Sequence, residues 1–374
     1  MQQKGWHIQN EPTEHMNIIV TAGLSDYKLS TKLIGLVCNN SVNKIFLVRK
    51  TPLNGPTKIQ NINPSLEFLK IFPIYEIWRL YTLLSLSRNN NITAIIGIQL
   101  IIHGIQVRIA GWLSKKPVVL SVIGKDVHMY LINHWTSPLL KYFVKRMDCV
   151  TVMGNRSKNI VSNAGIPTER IFILQNYQDP QRFNFLNVNK EWDIIYIGQL
   201  IPRKRVNDLI CAVHLVGHNL RFIIVGSGPE LNNLKALVNK LNLTNNVDFI
   251  GDVHNVESYL NQTRLLVLSS NMEALPAVAI ESMYCGTPAV LPDICDIPSY
   301  FGHGKESLLC CPGDIDDIAK KIEKMLFDES IYTEKVDACL EWARKHMHDW
   351  SKEKQVHIWT QILTTCINKK TYLT

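Results

Sequence analysis

Short, unbroken apolar runs recur along the chain, separated by longer stretches in which apolar residues fall every third or fourth position. Runs of the first kind form strands buried on both faces of a parallel sheet, and the stretches between them form the helices that cover it. Residues 16–20, 44–48, 94–97, 117–122 and 149–152 are thus predicted as strands of a first sheet. After the polar segment NYQDPQRFNFLNVNKEW the pattern restarts, with strands expected at 193–200, 221–228, 246–251, 264–270 and 288–292 and helices at 206–216 and 229–241. Alternation of this kind specifies an α/β architecture with two doubly wound sheets. The expected division is residues 1–184, 185–348 and a closing helix within 349–374, whose apolar positions are Trp350, Val356, Trp359, Ile362 and Leu363. By pattern alone that helix can pack on either domain.

Length agrees with this division, since 374 residues exceed what one hydrophobic core usually holds. The longest apolar run, residues 92–113, is long enough to suggest a membrane span. Gln99, His103, Gln106 and Arg108 would each be costly at mid-bilayer, so a buried strand over 94–99 followed by a helix accounts for it better. Residues 1–15 are polar, read as a loose extension, and lack the apolar core of a secretion signal. Nine cysteines without a Cys-x-x-Cys pair argue against a disulfide framework or a structural zinc site, and point to a reducing cytosol.

Charge is unevenly spread: residues 1–184 hold 21 Lys or Arg against 9 Asp or Glu. A basic half suits an anionic membrane surface, a phosphorylated acceptor or nucleic acid, although a solvated lysine-rich surface gives the same count. Interleaved aromatic and basic patches are lacking, which argues against nucleic acid. The apolar and basic stretch LEFLKIFPIYEIWRLYTLL, residues 66–84, favours peripheral contact with an anionic membrane.

Candidate chemistry lies where strands meet helices. Gly198 ends a strand and is followed by QLIPRKR, which places Arg203, Lys204 and Arg205 at a helix start. Cations there oppose the helix dipole unless an anion such as a diphosphate sits among them; an exposed basic turn is the other reading. VGSGP, with Gly226, follows a strand and opens a helix, so a ligand could approach its backbone. It lacks a full dinucleotide or P-loop pattern, and a tight turn would need no ligand. In SSNMEALPAVAIESMYCGTPAV, Pro276 begins a helix that Gly286 ends, Glu273 precedes it, and Glu281 lies inside it. Its free N–H groups suit a diphosphate, and both carboxylates could accept hydrogen bonds from sugar hydroxyls.

These residues carry a family resemblance. Glu273 and Glu281 form E-x7-E, followed by SMYCGTP, where the retaining nucleotide-sugar glycosyltransferases of family 4 have Ala-Met-x-x-Gly-Thr-Pro. The chain also resembles that family at GQLIPRKRVNDLI, at VGSGPELNNLKALVNKLNLTNNVDFIGDV, at LLCCPGDIDDIAKKI and at VTVMGNRSKNIVSNAGIPTERIFILQN. The resemblance implies a GT-B fold: two Rossmann-like domains facing a cleft, the first for the acceptor and the second for the donor, with the last helix crossing back to the first.

By the same resemblance Glu281 binds the nucleotide ribose, Glu273 the donor sugar, and Lys204 with Arg203 the diphosphate, while Gly198, Gly226 and the backbone of Leu275, Pro276, Ala277 and Val278 contact the donor. Asp126 and His103 are the candidates on the acceptor side. It implies transfer with retention, no metal and no cofactor beyond a nucleotide-diphosphate sugar. The acceptor is expected to be a glycan or lipid-linked molecule of cell-surface polysaccharide or glycolipid synthesis, and the location cytoplasmic, peripheral at the inner membrane face. A GT-B epimerase or phosphorylase, or a non-enzymatic nucleotide-sugar binding protein, would use the same fold. Three positions depart from the family pattern: Gln199 where an arginine is common, Arg205 where a glycine is common, and Ile123 at the family's histidine.

Overall fold

The computed structural model describes residues 15–124, 126–133, 137–217, 219–302 and 304–371. Apart from His15, the expected N-terminal extension lies outside these residues. Seven strands, β1 (Met16–Ala22), β2 (Val42–Val48), β3 (Ile59–Ile62), β4 (Ile92–Ile98), β5 (Val118–Ser121), β6 (Cys149–Val152) and β7 (Ile171–Ile173), form one sheet in the order β3-β2-β1-β4-β5-β6-β7. Six more, β8 (Trp192–Ile197), β9 (Phe222–Val225), β10 (Val247–Gly251), β11 (Thr263–Val267), β12 (Ala289–Pro292) and β13 (Ser307–Cys310), form a second in the order β10-β9-β8-β11-β12-β13. Both sheets are parallel throughout.

The inner strands explain the unbroken apolar runs: every residue of β5, β6, β9 and β12 is buried, because helices cover both faces. Three strands are not expected from the pattern, namely β3, β7 and β13. Each is only three or four residues long, ends its sheet and pairs on one side only. In both sheets the strand order reverses beside the first strand, between β1 and β4 and between β8 and β11. Ligands of doubly wound sheets bind beyond the carboxyl ends of the strands at such a reversal.

The chain divides into two units. The first comprises residues up to Val152, Lys158–Tyr177 and Lys352 onward; the second comprises Met153–Ser157 and Gln178–Ser351. The boundary at Tyr177 therefore differs from the one drawn at 184 on sequence. Arg182 pairs with Glu257 and Phe183 packs in the second core, which holds that polar segment to the second unit. Trp350 likewise is not part of the closing helix: it packs on Trp342 and Tyr300 of the second unit.

The closing helix, Lys352–Thr371, belongs to the first unit. Its Trp359, Ile362 and Leu363 are buried with Leu29, Leu33 and Leu36 of α1 (Asp26–Val37). Gly35 permits that approach: a Cβ there would lie 2.6 Å from Trp359 Cδ1 and 2.7 Å from the Gln355 carbonyl carbon. Gly35→Ala is expected to destabilise the protein by about 1–3 kcal/mol through overpacking. Urea denaturation reads this directly, and an unchanged midpoint would refute it.

Also in the first unit, α2 (Ile74–Ser87) and α3 (Ile105–Ser114) pack on each other. The long apolar run becomes β4, an irregular turn over Leu100–Gly104, and α3. No helix among the described residues is long and apolar enough to cross a membrane.

Candidate active site

Beyond the end of β8, the segment Gly198–Arg205 makes a loop and a single 3-10 turn, Pro202–Lys204. The loop is stacked on the β9 turn by backbone bonds from Gly198 N to Val225 O at 3.0 Å and from Leu200 N to Ser227 O at 2.8 Å. Gly226 is required by this contact itself, since a Cβ on it would lie 2.0 Å from Gly198 O. The glycine of VGSGP is therefore explained by two turns meeting, whatever else binds there.

The three cations of QLIPRKR do not stand facing one another. Arg203 Nη1 donates to Met272 O at 3.1 Å, and Asn271 N donates to Arg203 O at 3.1 Å, which ties the turn to the loop after β11. Arg205 takes a left-handed conformation, φ 50°, before the helix Val206–Val216 and pairs with the buried Asp208 in its first turn. A left-handed residue at that point accounts for the glycine that the family resemblance leads one to expect.

Lys204 forms an ion pair with Glu273, and the two are only 13% and 11% exposed. Ser270 Oγ also donates to Glu273 Oε1 at 3.1 Å. Ser269 Oγ donates to the carbonyls of Lys204 and Arg205, at 3.1 and 2.8 Å. The two serines close the same corner and are not singled out by the sequence reading; their signal is the polar pair directly after an apolar strand. The structure thus brings Arg203, Lys204 and Glu273 together at the β8/β11 reversal.

The helix after this loop runs Ala277–Tyr284, with extended Pro276 before it and Leu275 and Pro276 buried. Ala277 and Val278 open its first turn, where backbone N–H groups have no intrahelical acceptor. Glu281 is 6% exposed. Burial pushes its carboxyl up to about 7; Arg182 draws it back down, and Glu257 adds to the rise. Arg182 is itself claimed by Glu257, at 2.9 Å, and by His254 O. Among the described residues no side chain or backbone N–H donates to the Glu281 carboxylate. A buried acid without donors is costly to ionise.

In the first unit a cavity of about 400 Å³ lies at the β1/β4 reversal. Gly23, Arg49, Lys50, Lys70, Glu76 and Arg79 are among its lining, with His103. Both ring nitrogens of His103 are engaged, Nδ1 with Thr21 Oγ1 at 2.9 Å and Nε2 with Arg79 Nη1 at 3.3 Å. Burial, helped by Arg79, lowers its pKa to about 3. It is therefore a neutral imidazole whose Nε2 lone pair orients Arg79, and that nitrogen is not open to take a substrate proton. Arg79 also donates to Gln106 Oε1 at 2.7 Å and pairs with Glu76. Gln99 Oε1 accepts from Gly23 N at 3.0 Å.

Asp126 does not join His103 in the cavity lining. It is buried, and its Oδ2 accepts from Ile123 N at 3.0 Å, closing its own turn. It also acts on buried Lys32, whose ammonium burial lowers to about 8 against the pull of this carboxylate.

Parallel sheets in these two strand orders, and a closing helix that returns to the first unit, define a GT-B glycosyltransferase fold. More narrowly, residues 178–346 match the model of the family of glycosyl transferases group 1, a match with which family 4 is consistent. It is 25% identical over 231 residues to the N-acetyl-alpha-D-glucosaminyl L-malate synthase of Bacillus anthracis, covering 59% of this chain and 61% of that one. The match thus spans less than two thirds of that relative. With the Campylobacter jejuni GalNAc-alpha-(1->4)-GalNAc-alpha-(1->3)-diNAcBac-PP-undecaprenol alpha-1,4-N-acetyl-D-galactosaminyltransferase it shares 27% identity over 263 residues, 64% of this chain and 68% of that one. Among solved structures, Anabaena Alr3699/HepE in complex with UDP superposes with a TM-score of 0.76 at 15% identity, covering 94% of this chain and all of the other.

Proposed function

We propose that the chain is a retaining, metal-independent glycosyltransferase. It would move a hexose unit from a nucleotide-diphosphate sugar to a glycan or lipid-linked acceptor of cell-surface polysaccharide or glycolipid synthesis. The observation that carries this reading is the pairing of Lys204 with Glu273 in the unit that holds buried, donor-free Glu281. An ammonium has three N–H donors, so Lys204 can keep Glu273 and still donate to a diphosphate. Arg203 adds a second cation beside it, Glu273 is left to accept from a donor-sugar hydroxyl, and Glu281 accepts from the ribose.

In transfer with retention, the acceptor oxygen bonds to the anomeric carbon on the face from which the diphosphate departs. The bond to the leaving oxygen breaks, and the acceptor proton passes to that phosphate. Charge grows on the diphosphate as it leaves, and fixed cations and helix N–H groups stabilise it. The relatives bear on this reading by their names: the Campylobacter enzyme acts on a PP-undecaprenol acceptor, and the Anabaena protein binds UDP.

A thermal-shift screen of UDP-, GDP- and ADP-sugars on wild type and Glu281→Ala tests it. One nucleotide series should stabilise the protein, and the variant should lose that stabilisation. No shift in any series would refute the donor site.

Contact with an anionic membrane belongs to the same proposal. Leu66, Phe68, Ile71, Phe72, Ile77 and Tyr81 are all more than half exposed, an apolar concentration that soluble surfaces rarely carry. The chain should float with vesicles containing phosphatidylglycerol, and Ile77→Glu with Tyr81→Glu should keep it at the bottom of the gradient. Absence of wild-type flotation would remove the membrane from the reading and leave the enzyme.

A further inference from the structure

We infer that the cavity of the first unit is a subsite for a diphosphate whose carbon chain lies along the apolar rim formed by residues 66–81. The cavity lining carries four cations, Arg49, Lys50, Lys70 and Arg79, against one carboxylate, Glu76, while Asp26 and Glu67, both exposed, pair with Arg49 and Lys70 from outside the lining. His103 adds no charge, as its neutral ring shows. The N–H groups that Arg49 and Lys50 keep without an acceptor among the described residues suit the several oxygens of a diphosphate.

The cations are also held in place for binding. Arg49 is buried, with Nη1 on Asp26 at 2.8 Å and Nη2 on Leu24 O at 3.2 Å. Of the five donors of a guanidinium that leaves three without an acceptor among the described residues. Buried Arg79 is clamped by Gln106, His103 and Glu76, so its plane is fixed before any ligand arrives. Lys50 is exposed and has no ion-pair partner among the described residues. Lys70 pairs at 2.5 Å with Glu67, which is 86% exposed and can be displaced cheaply. Preset guanidinium forks with mobile ammonium groups are the chemistry that recognises phosphate oxygens.

The second half of the inference comes from continuity. Phe72, 74% exposed, lines the cavity together with Lys70, and both lie in the segment that presents the apolar rim. Ile74, Ile77 and Tyr81 follow at helical spacing on α2, all exposed. A ligand that is anionic at one end and hydrocarbon at the other matches both surfaces at once; a free inorganic diphosphate matches only the first. That this ligand is the acceptor rests on the transferase reading; that it binds here does not.

Titration calorimetry with inorganic pyrophosphate, geranyl diphosphate and geraniol, on wild type, Lys50→Glu and Lys204→Ala, separates the possibilities. Geranyl diphosphate should bind more tightly than pyrophosphate, and geraniol should not bind. Lys50→Glu should weaken geranyl diphosphate about tenfold or more, and Lys204→Ala should leave it unchanged. Lys50 is exposed, so this variant keeps the fold, which far-UV circular dichroism verifies. Equal affinity for pyrophosphate and geranyl diphosphate would overturn the lipid assignment. Binding lost in Lys204→Ala and kept in Lys50→Glu would overturn the cavity, placing the diphosphate in the second unit. The nucleotide screen fails or succeeds independently, because it reads Glu281.

Discussion

Lys204→Ala is expected to lower the transfer rate by about 10²–10³-fold at saturating donor, the cost typical of removing one preorganised donor from a site of developing charge. The same change leaves Glu273 without its cation in surroundings where it is 11% exposed, so stability should fall as well. For a fully buried pair that loss is about 3–5 kcal/mol; residual solvent at both partners brings the expectation nearer ~2 kcal/mol. The two effects are separable. Lys204→Met with Glu273→Gln removes both charges, so its denaturation midpoint should recover most of the loss while the rate does not. If the double variant recovered the rate, the pair would be structural and the diphosphate assignment would fail.

Glu281 gives the second large effect, and it depends on pH. Its carboxyl is raised by burial from an ordinary 4.5 to about 7 in the folded chain. Below about 4.5 the acid is protonated in both folded and unfolded chains and costs nothing. Between 4.5 and 7 the unfolded chain ionises first, so stability falls as pH rises, and above 7 the loss levels off. The shift corresponds to about 3 kcal/mol. Glu281→Gln cannot ionise, so its stability relative to wild type should improve by that order between pH 4.5 and about pH 8. A parallel pair of stability curves would refute the burial argument.

Nucleotide binding should move the other way. Ribose hydroxyls donate to the ionised carboxylate and stabilise it, so affinity should fall by up to about tenfold per pH unit below 7, with a proton released on binding near neutrality. Calorimetry in two buffers of different ionisation enthalpy measures that proton. No release would mean that Glu281 stays protonated or is not in the nucleotide site.

Much of this architecture was legible in the sequence because one physical cause dominates. Strands buried on both faces are mainly apolar, and the helices between them are amphipathic, so β6 and the helix Val206–Val216 lie at the predicted residues. β3, β7 and β13 escaped because three or four residues are too few to show a pattern. The corner of Lys204 and Glu273 was legible since both, with the helix after Pro276, sit at strand ends, where chemistry is to be looked for.

The cavity was not legible in this way. Glu76 and Arg79 are three apart on α2, a spacing that reads as a solvated ion pair, yet Arg79 is 2% exposed and holds His103 and Gln106. The available sign was the setting: a charged pair inside a helix whose other residues are nearly all apolar. Three of the four polar residues that argue against a membrane span serve the cavity: His103 lines it, Gln106 holds its Arg79, and Gln99 accepts from its Gly23 N.

The chain passes between the two units four times, at 152/153, 157/158, 177/178 and 351/352. Exchange of the first unit between homologues by recombination cannot therefore use a single splice. A hybrid that joins one parent's first 177 residues to another's remainder would carry a foreign closing helix against its own α1, with Gly35 and Trp359 drawn from different parents. Functional hybrids need a second junction near residue 351, so that the last helix travels with the half of the molecule it completes.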